Sequence, residues 1–474
     1  YLPVISSTYT INFPETVRLK YKIMNDPDNM VKFSEEKKKG TITYTWTANH
    51  IKETENWDDK GFSILYTDPH IILTIESVSG VDFLSKPDDL LKRFIKIIGN
   101  PYAETYPDIK PLVDSICNGL ITPVQKLEAI YYYVQEKIQY VAIEDGYSGI
   151  IPDKPVNVLK KHYGDCKGKS NLLMIMLRHA GIEAYLTWVG SRNRPYKCTE
   201  IPSPITFNHM IVTAVIDGKH FSLDPTSSFL YYTFPSSFTQ GKESMIGYDT
   251  SRCEIFTIPI VDHTKNFTHD LLEINISNDS IICRGALKLT GYNKFNITEE
   301  INRRTENNKQ LLYKSMLKKN YEKATADSFS VKNLESRTDT LFISYRYTLP
   351  GYVKRYGDNI YLNMNIEKEY INNLIDTSIV KYHKFINFGT LQHWDYVLNI
   401  PEGYKVESIP NNVISEFENF GFRASYKQGS GKIYMHQEFY IKNLSIDMKE
   451  FNEWNSMINQ IIKIYSQTVS LKKK

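Results

Sequence analysis

Apolar and polar side chains alternate along the chain as far as about residue 85. In TYTINFPETVRLKYKI (Thr8–Ile23) the alternation breaks only at Pro14-Glu15. It resumes in GTITYTWTANHI (Gly40–Ile51), after the charged stretch SEEKKKG, which reads as a solvated turn. A period of two sends successive side chains to opposite faces and predicts β-strands. FSILYTDPHIILTIESV (Phe62–Val78) predicts two more, divided at Asp68-Pro69. Residues 1–85 are therefore expected to form a β-rich, sandwich-like domain. The chain opens directly in strand sequence, as a processed or trimmed chain would.

From about residue 86 the period lengthens to that of a helix. PDDLLKRFIKIIG and TPVQKLEAIYYYVQEKIQYV are the first two such segments. In the second, Thr122 is placed as N-cap and Pro123 at the first helical position. Val124, Leu127, Ile130, Tyr131, Val134 and Ile138 step by three and four and define one buried face. A third, strongly apolar helix follows Cys166 and should stop at Gly181. Strands return between about 185 and 225.

Beyond about residue 250 the pattern is again mostly β. EINISNDSIICRGALKL carries an Asn-Asp turn between apolar runs, and DYVLNIPEGYKV and KIYMHQEFYIKN read as strands. Two helices interrupt, one within ITEEINRRTENNKQLLYKSMLKKNYEK and one in FNEWNSMINQIIKIYS. In the latter Phe451, Trp454, Ile458, Ile461, Ile462 and Tyr465 form a docking face. The expected fold class is α+β. Its core spans residues 86–250, between the N-terminal β region and a C-terminal region, 251–474, with helical insertions and a terminal docking helix.

Composition narrows the function classes. The 474 residues are 41% hydrophobic and 23% charged, with a formal net charge of +3. Length predicts several domains, and interleaved charges leave no basic stripe for nucleic acid. No apolar run is long enough to predict a transmembrane helix. Five cysteines, Cys117, Cys166, Cys198, Cys253 and Cys283, are irregularly spaced with no CxxC pair, so no metal site is predicted.

Cys166 has the most informative setting. It stands at a helix mouth, where unpaired N–H groups and the helix dipole favour negative charge. Lys167 and Lys169 add positive charge, and Gly164 allows a tight entry turn. Such surroundings favour a thiolate, the nucleophilic form. The competing reading is a buried, inert packing thiol.

A thiolate needs a base, and the base an orienting group. FNHMIVTAVIDGKHFSLDPT reads as a hairpin turning at Asp217-Gly218. With a two-residue loop, Ile216 faces Lys219 and paired numbers sum to 435. His209, Ile211, Asp224 and Thr226 then share one face. His209 and Asp224 become diagonal neighbours, with Cα atoms roughly 7–8 Å apart, within side-chain reach. A register slip of one residue would separate them. His220 lies in the same hairpin and on the same face, farther from the strand end, and remains a rival base. His162 and His179 flank the Cys166 helix.

YGDCKGKSNLLMIMLRHAGIEA, then FNHMIV, then LDPT, in that order, resembles the transglutaminase-like superfamily of papain-fold enzymes. The resemblance covers about residues 86–245. It implies a papain-like core with Cys166 as nucleophile, His209 as base and Asp224 as orienter. It implies acyl transfer from a peptide or amide through a thioester, to water (protease or amidase) or to an amine (transglutaminase). The Cys166 N–H would serve the oxyanion hole, with Asn157, Tyr163 and Asn208 as candidates for the second donor. No cofactor and no metal are expected, since the acidic loops of calcium-dependent relatives are missing. The β-flanked arrangement resembles bacterial proteins, which suggests a peptide or protein substrate and a periplasmic or extracellular setting. The alternative is a catalytically idle module that binds or assembles partners at the cell envelope.

Overall fold

The computed structural model describes residues 3–51, 64–143, 145–305, 308–309, 312, 321, 323–378, 380 and 382–474. The chain forms two compact units: residues 1–228 with 232–260, and residues 229–231 with 261–474. Among the described residues no helix is long and apolar enough to cross a membrane.

The first unit opens with two three-stranded antiparallel sheets. One orders its strands Val4–Pro14, Thr41–Ile51, Lys32–Lys38; the other orders them Val17–Met24, His70–Val78, Val81–Asp82. The alternating pattern explains the pairing: Trp46, 1% exposed, collects inward-facing rings from both sheets, with Tyr21 at 5.2 Å and Phe33 at 5.4 Å. The charged stretch Ser34–Gly40 is not a loop. Strand runs through Lys38, and the reversal falls on Lys39 and Gly40, both at positive φ. Of the two strands expected over Phe62–Val78, the structure forms one, His70–Val78, preceded by a short 3₁₀ turn at Ile64–Tyr66. Phe62 and Ser63 lie outside the described residues.

Five helices follow: α1 (Pro87–Ile98), α2 (Lys110–Ile116), α3 (Pro123–Lys137), α4 (Pro155–Lys161) and α5 (Cys166–His179). Helix α3 begins at the expected cap. Thr122 Oγ1 accepts from the Gln125 N–H at 3.2 Å, and Gln125 Oε1 accepts from the Thr122 N–H at 3.0 Å, a reciprocal box. Helix α5 stops as expected: Gly181 takes a φ of 79°, and the Ile182 N–H closes on the Leu177 carbonyl at 3.0 Å. The helices share a core with an antiparallel sheet ordered Lys219–Leu223, His209–Ile216, Glu183–Val189, Glu243–Gly247, Cys253–Thr257. Helix α5 is buried from Lys167 to Leu177.

The second unit is built on an eight-stranded sheet. Its order is Thr325–Lys332, Leu341–Leu349, Ser280–Leu289, Phe267–Ser277, Thr390–Asn399, Lys432–Ile441, Phe420–Gly429, Val413–Glu416. Helix α6 (Gly291–Asn302) and the terminal helix α7 (Phe451–Tyr465) belong to this unit. Helix α7 buries Phe451, Trp454, Met457, Ile458, Ile461, Ile464 and Tyr465, whereas Ile462 packs only at the margin, one helical step off the stripe. Of the helix expected within Ile297–Lys323, the part to Asn302 lies in α6. Most of the remainder falls outside the described residues.

Candidate active site

The site begins with how α5 starts. Asp165 is the N-cap, and its Oδ1 accepts from the Gly168 N–H at 2.8 Å. The amides of Cys166 and Lys167, first in the helix, have no intrahelical acceptor. Gly164 matters for closeness rather than for an unusual backbone: a Cβ there would stand 3.3 Å from Val158 Cγ1 of α4. Ser170 Oγ donates to the Met210 carbonyl at 3.0 Å and ties α5 to the strand beside His209. Cys166 itself is half-buried.

The hairpin folds in the expected register. Pairs from Val212 with Leu223 to Ile216 with Lys219 keep the sum of 435. Asp217 and Gly218 form the turn at φ values of 51° and 72°, as a primed hairpin turn requires. This register brings His209 Nε2 to 2.8 Å from Asp224 Oδ2. The Cys166 thiol is within hydrogen-bonding reach of the same ring. Since Nε2 is engaged by Asp224, Nδ1 is the nitrogen left for sulfur.

Asp224 is 1% exposed and fully bonded. Its Oδ2 also accepts from Ser236 Oγ at 2.6 Å, and its Oδ1 accepts from the Thr226 N–H at 3.1 Å and Thr226 Oγ1 at 2.6 Å. Tyr131 Oη of α3 donates to the Asp224 carbonyl at 2.9 Å. Phe238 meets the His209 ring edge to face, centroids 5.2 Å apart.

These contacts set the charges. Burial opposes a charged His209 ring, but the Asp224 carboxylate and the Cys166 sulfur more than offset it and raise its pKa to about 10. Burial likewise opposes the Asp224 charge, and His209, Ser236 and Thr226 override it, holding the carboxyl well below the usual carboxylate range. Burial also lowers the Lys169 pKa to about 8, against the pull of Asp224. The lysines beside Cys166 are not free cations. Lys167 pairs with its buried neighbour Asp165, and Lys169 Nζ, also buried, donates to the Ile138 carbonyl. The other thiols differ from Cys166 in setting. Burial pushes Cys198 up to about 12 and raises Cys117. Burial and the Asp88 carboxylate raise Cys253, whose thiol donates to Asp88 at 3.3 Å.

The remaining candidates are placed as follows. Asn157, exposed on α4, donates its amide to Asp153 Oδ1 at 2.9 Å. Asn208 is held at both ends by Ser191: its Oδ1 accepts from the N–H and its Nδ2 donates to Oγ, each at 2.8 Å. Tyr163 is 38% exposed, in the two-residue strand that leads into Cys166. His220 lies opposite Val215, with its ring against Phe256 at 4.8 Å. His179 Nε2 meets the Tyr106 carbonyl at 3.1 Å, and His162 caps α4 in the left-handed region. Sequence reading missed Ser236 and Phe238. They come from a three-residue 3₁₀ turn, Ser237–Thr239 with Ser236 as its cap, too short to show a periodicity, and only the polar demand of a buried carboxylate hints that such a donor must exist.

Residues 110–225 match the model of the transglutaminase-like superfamily. Residues 358–471 match a second model, described as "Domain of Unknown Function with solved-structure structure (DUF3858)". No curated relative matches the chain. Among solved structures, a Parabacteroides distasonis ATCC 8503 protein described as "a putative protease" superposes with a TM-score of 0.60 at 13% identity, over 99% of this chain and 73% of that one. A Cytophaga hutchinsonii protein described as "a putative cysteine protease" covers 54% of this chain and 82% of its own, at 14% identity and a TM-score of 0.24, too slight a likeness to argue from. The chain thus has a transglutaminase-like core of mixed helix and sheet, and it shares its fold with the Parabacteroides protein.

Proposed function

We propose that this core performs cysteine-dependent acyl transfer on a peptide or amide bond, with Cys166 as nucleophile, His209 as base and Asp224 as orienter. One observation carries the reading: a half-buried sulfur at a helix mouth reaches an imidazole whose far nitrogen is held by a buried carboxylate.

His209 Nδ1 accepts the Cys166 proton, and the resulting imidazolium is stabilised by Asp224. The thiolate attacks the carbonyl carbon. The oxyanion that forms is held by the Cys166 N–H, aided by the dipole of α5. As the C–N bond breaks, His209 returns the proton to the leaving amine and a thioester remains. Water then gives a peptidase or amidase; a second amine gives a transglutaminase. The fold-sharing protein described as "a putative protease" favours a peptide bond. A substrate at the cell envelope, met in the periplasm or outside the cell, fits the same proposal.

Alkylation tests it. Iodoacetamide at pH 6, read by mass spectrometry, should label Cys166 first. His209→Ala should slow that labelling by about 10²–10⁴, the usual worth of a positioned base. Labelling of Cys117 or Cys253 ahead of Cys166 would replace the enzyme with an idle binding module. A peptide library followed for new amines, ammonia release and transamidation then identifies the acceptor.

A further inference from the structure

Val141 and the stretch Asp145–Asp153 both lie beside the mouth of α5. The Val141 N–H donates to the Gly164 carbonyl at 3.1 Å, just ahead of Cys166 in the chain. The Asp153 carbonyl accepts from Asn171 Nδ2 of α5 at 3.1 Å, and a Cβ at Gly168 would stand 3.6 Å from Asp153 Cβ. Before Asp153 comes a 3₁₀ turn, Gly146–Gly149, closed by the Ile150 and Ile151 N–H groups, which donate to the Tyr147 carbonyl at 3.0 and 2.9 Å. Behind it, α5 is buried from Lys167 to Leu177, so the turn sits on a fixed frame, as recognition loops do.

The side chains presented here are apolar. Tyr147 is 81% exposed, and Ile150, Ile151, Val141 and Tyr163 are exposed as well. No basic residue occurs between Val141 and Pro152. Single apolar side chains scattered over a surface are ordinary, but several gathered around one helix mouth mark a surface that binds something. Its position names the occupant. The shelf is tied to chain on both sides of Cys166, at Gly164 and Gly168, so a carbonyl that reaches the sulfur brings its own neighbours onto it. Phe238, also exposed, instead meets the ring of His209, the group that hands its proton to the leaving amine. The leaving side of the substrate therefore belongs with Phe238, and the acyl side with the shelf.

We propose that Val141, Tyr147, Ile150, Ile151 and Tyr163 select a peptide with large apolar side chains on the acyl side of the bond attacked. This rests on the reading of Cys166 as nucleophile and names the substrate class of that site. Alkylation of the full chain by two chloromethyl ketones tests it. The ketone carbonyl takes the place of the substrate's, the Cys166 sulfur forms a bond to the methylene carbon, and chloride leaves. N-acetyl-Leu-Leu-Gly chloromethyl ketone and its Asn-Asn-Gly counterpart carry side chains of similar size and opposite polarity. The leucyl reagent should label Cys166 at least about tenfold faster. Tyr147→Ser with Ile150→Ser should cut that preference at least about threefold. The same variant should keep iodoacetamide labelling of Cys166 within about twofold, because that reagent is too small to use the shelf and both changes are at the surface. Ile414→Ser, an exposed change on an edge strand of the second unit, should leave the preference as it is. With iodoacetamide labelling Cys166 first, equal rates for the two ketones, or a preference that survives the double serine variant, overturn the shelf alone. Iodoacetamide labelling of another cysteine first overturns the nucleophile, and the shelf with it.

Discussion

His209 and His436 each hold a carboxylate at nearly the same distance, 2.8 Å for Asp224 and 2.7 Å for Asp395. Their surroundings differ. Asp224 is 2% exposed in its side chain and His209 11%, whereas Asp395 is 37% exposed and His436 43%. Asp395 is shared with His269, and His393 beside them bonds Glu438 at 3.0 Å. The cluster on the eight-stranded sheet therefore balances imidazoles against one another, ring centroids of His393 and His436 lying 5.4 Å apart. His209 instead faces one buried carboxylate and one sulfur. In that cluster the sign is reversed: His209 is raised to about 10, while burial, with His436 and His269, lowers His393 against the pull of Glu438. An imidazole–carboxylate bond is thus common to both places, and burial with a thiol distinguishes the one at His209.

The contrast can be broken most severely by neutralising each carboxylate. Asp224→Asn should slow iodoacetamide labelling of Cys166 by on the order of 10²–10⁴, since the ring loses both its orientation and its stabilised charge. Asp395→Asn should leave the rate within about twofold, since Asp395 bonds His269 and His436 rather than His209. Equal effects would erase the distinction.

The next effect is on stability against pH. The His209 pKa is raised in the folded state, so its contribution is complete below about 6.5 and is lost as pH rises through about 10. The Asp224 carboxyl is depressed, so its contribution is present above about 4 and is lost in acid. For His393 the folded pKa is lowered, so the unfolded chain takes up its proton first and stability falls as pH drops below about 6.5. Thermal unfolding from pH 5 to 10 should show the alkaline loss shrinking in His209→Gln and the acid loss shrinking in His393→Gln. The same slopes in both variants would contradict the assignment.

The smallest effects come from single hydrogen bonds. Ser236→Ala removes one donor from a buried carboxylate and should cost about 1.5–3 kcal/mol in urea unfolding. Glu438→Gln, at a partly exposed pair, should cost less than about 1 kcal/mol. A reversal of that order would mean that burial is not what separates the two regions.

Much of the candidate site's geometry was legible because it rests on local rules. Asp217-Gly218 dictates the hairpin, the hairpin dictates the register, and the register brings His209 to Asp224. The cap at Thr122 and the stop at Gly181 are equally local. What escaped depends on distant chain. Ser236 and Phe238 reach the site from a short 3₁₀ turn, and the engagement of Asn157 by Asp153 and of Asn208 by Ser191 is a matter of tertiary neighbours. The positive charge expected beside Cys166 also changed meaning, because Asp165 pairs with Lys167 and the Ile138 carbonyl accepts from Lys169. The lysine-rich stretch read as a loop is strand, since an edge strand tolerates charge on its solvent side.

Val158 leaves no vacancy on the near side of α5: a methyl at position 164 would sit 3.3 Å from its Cγ1, and one at position 168 would sit 3.2 Å from its Cγ2. Alanine at either glycine should therefore slow alkylation of Cys166, although neither position contributes a functional group. A compensating Val158→Ala should restore alkylation with alanine at either position, and so divide residues that shape the entry to α5 from the sulfur that the entry presents.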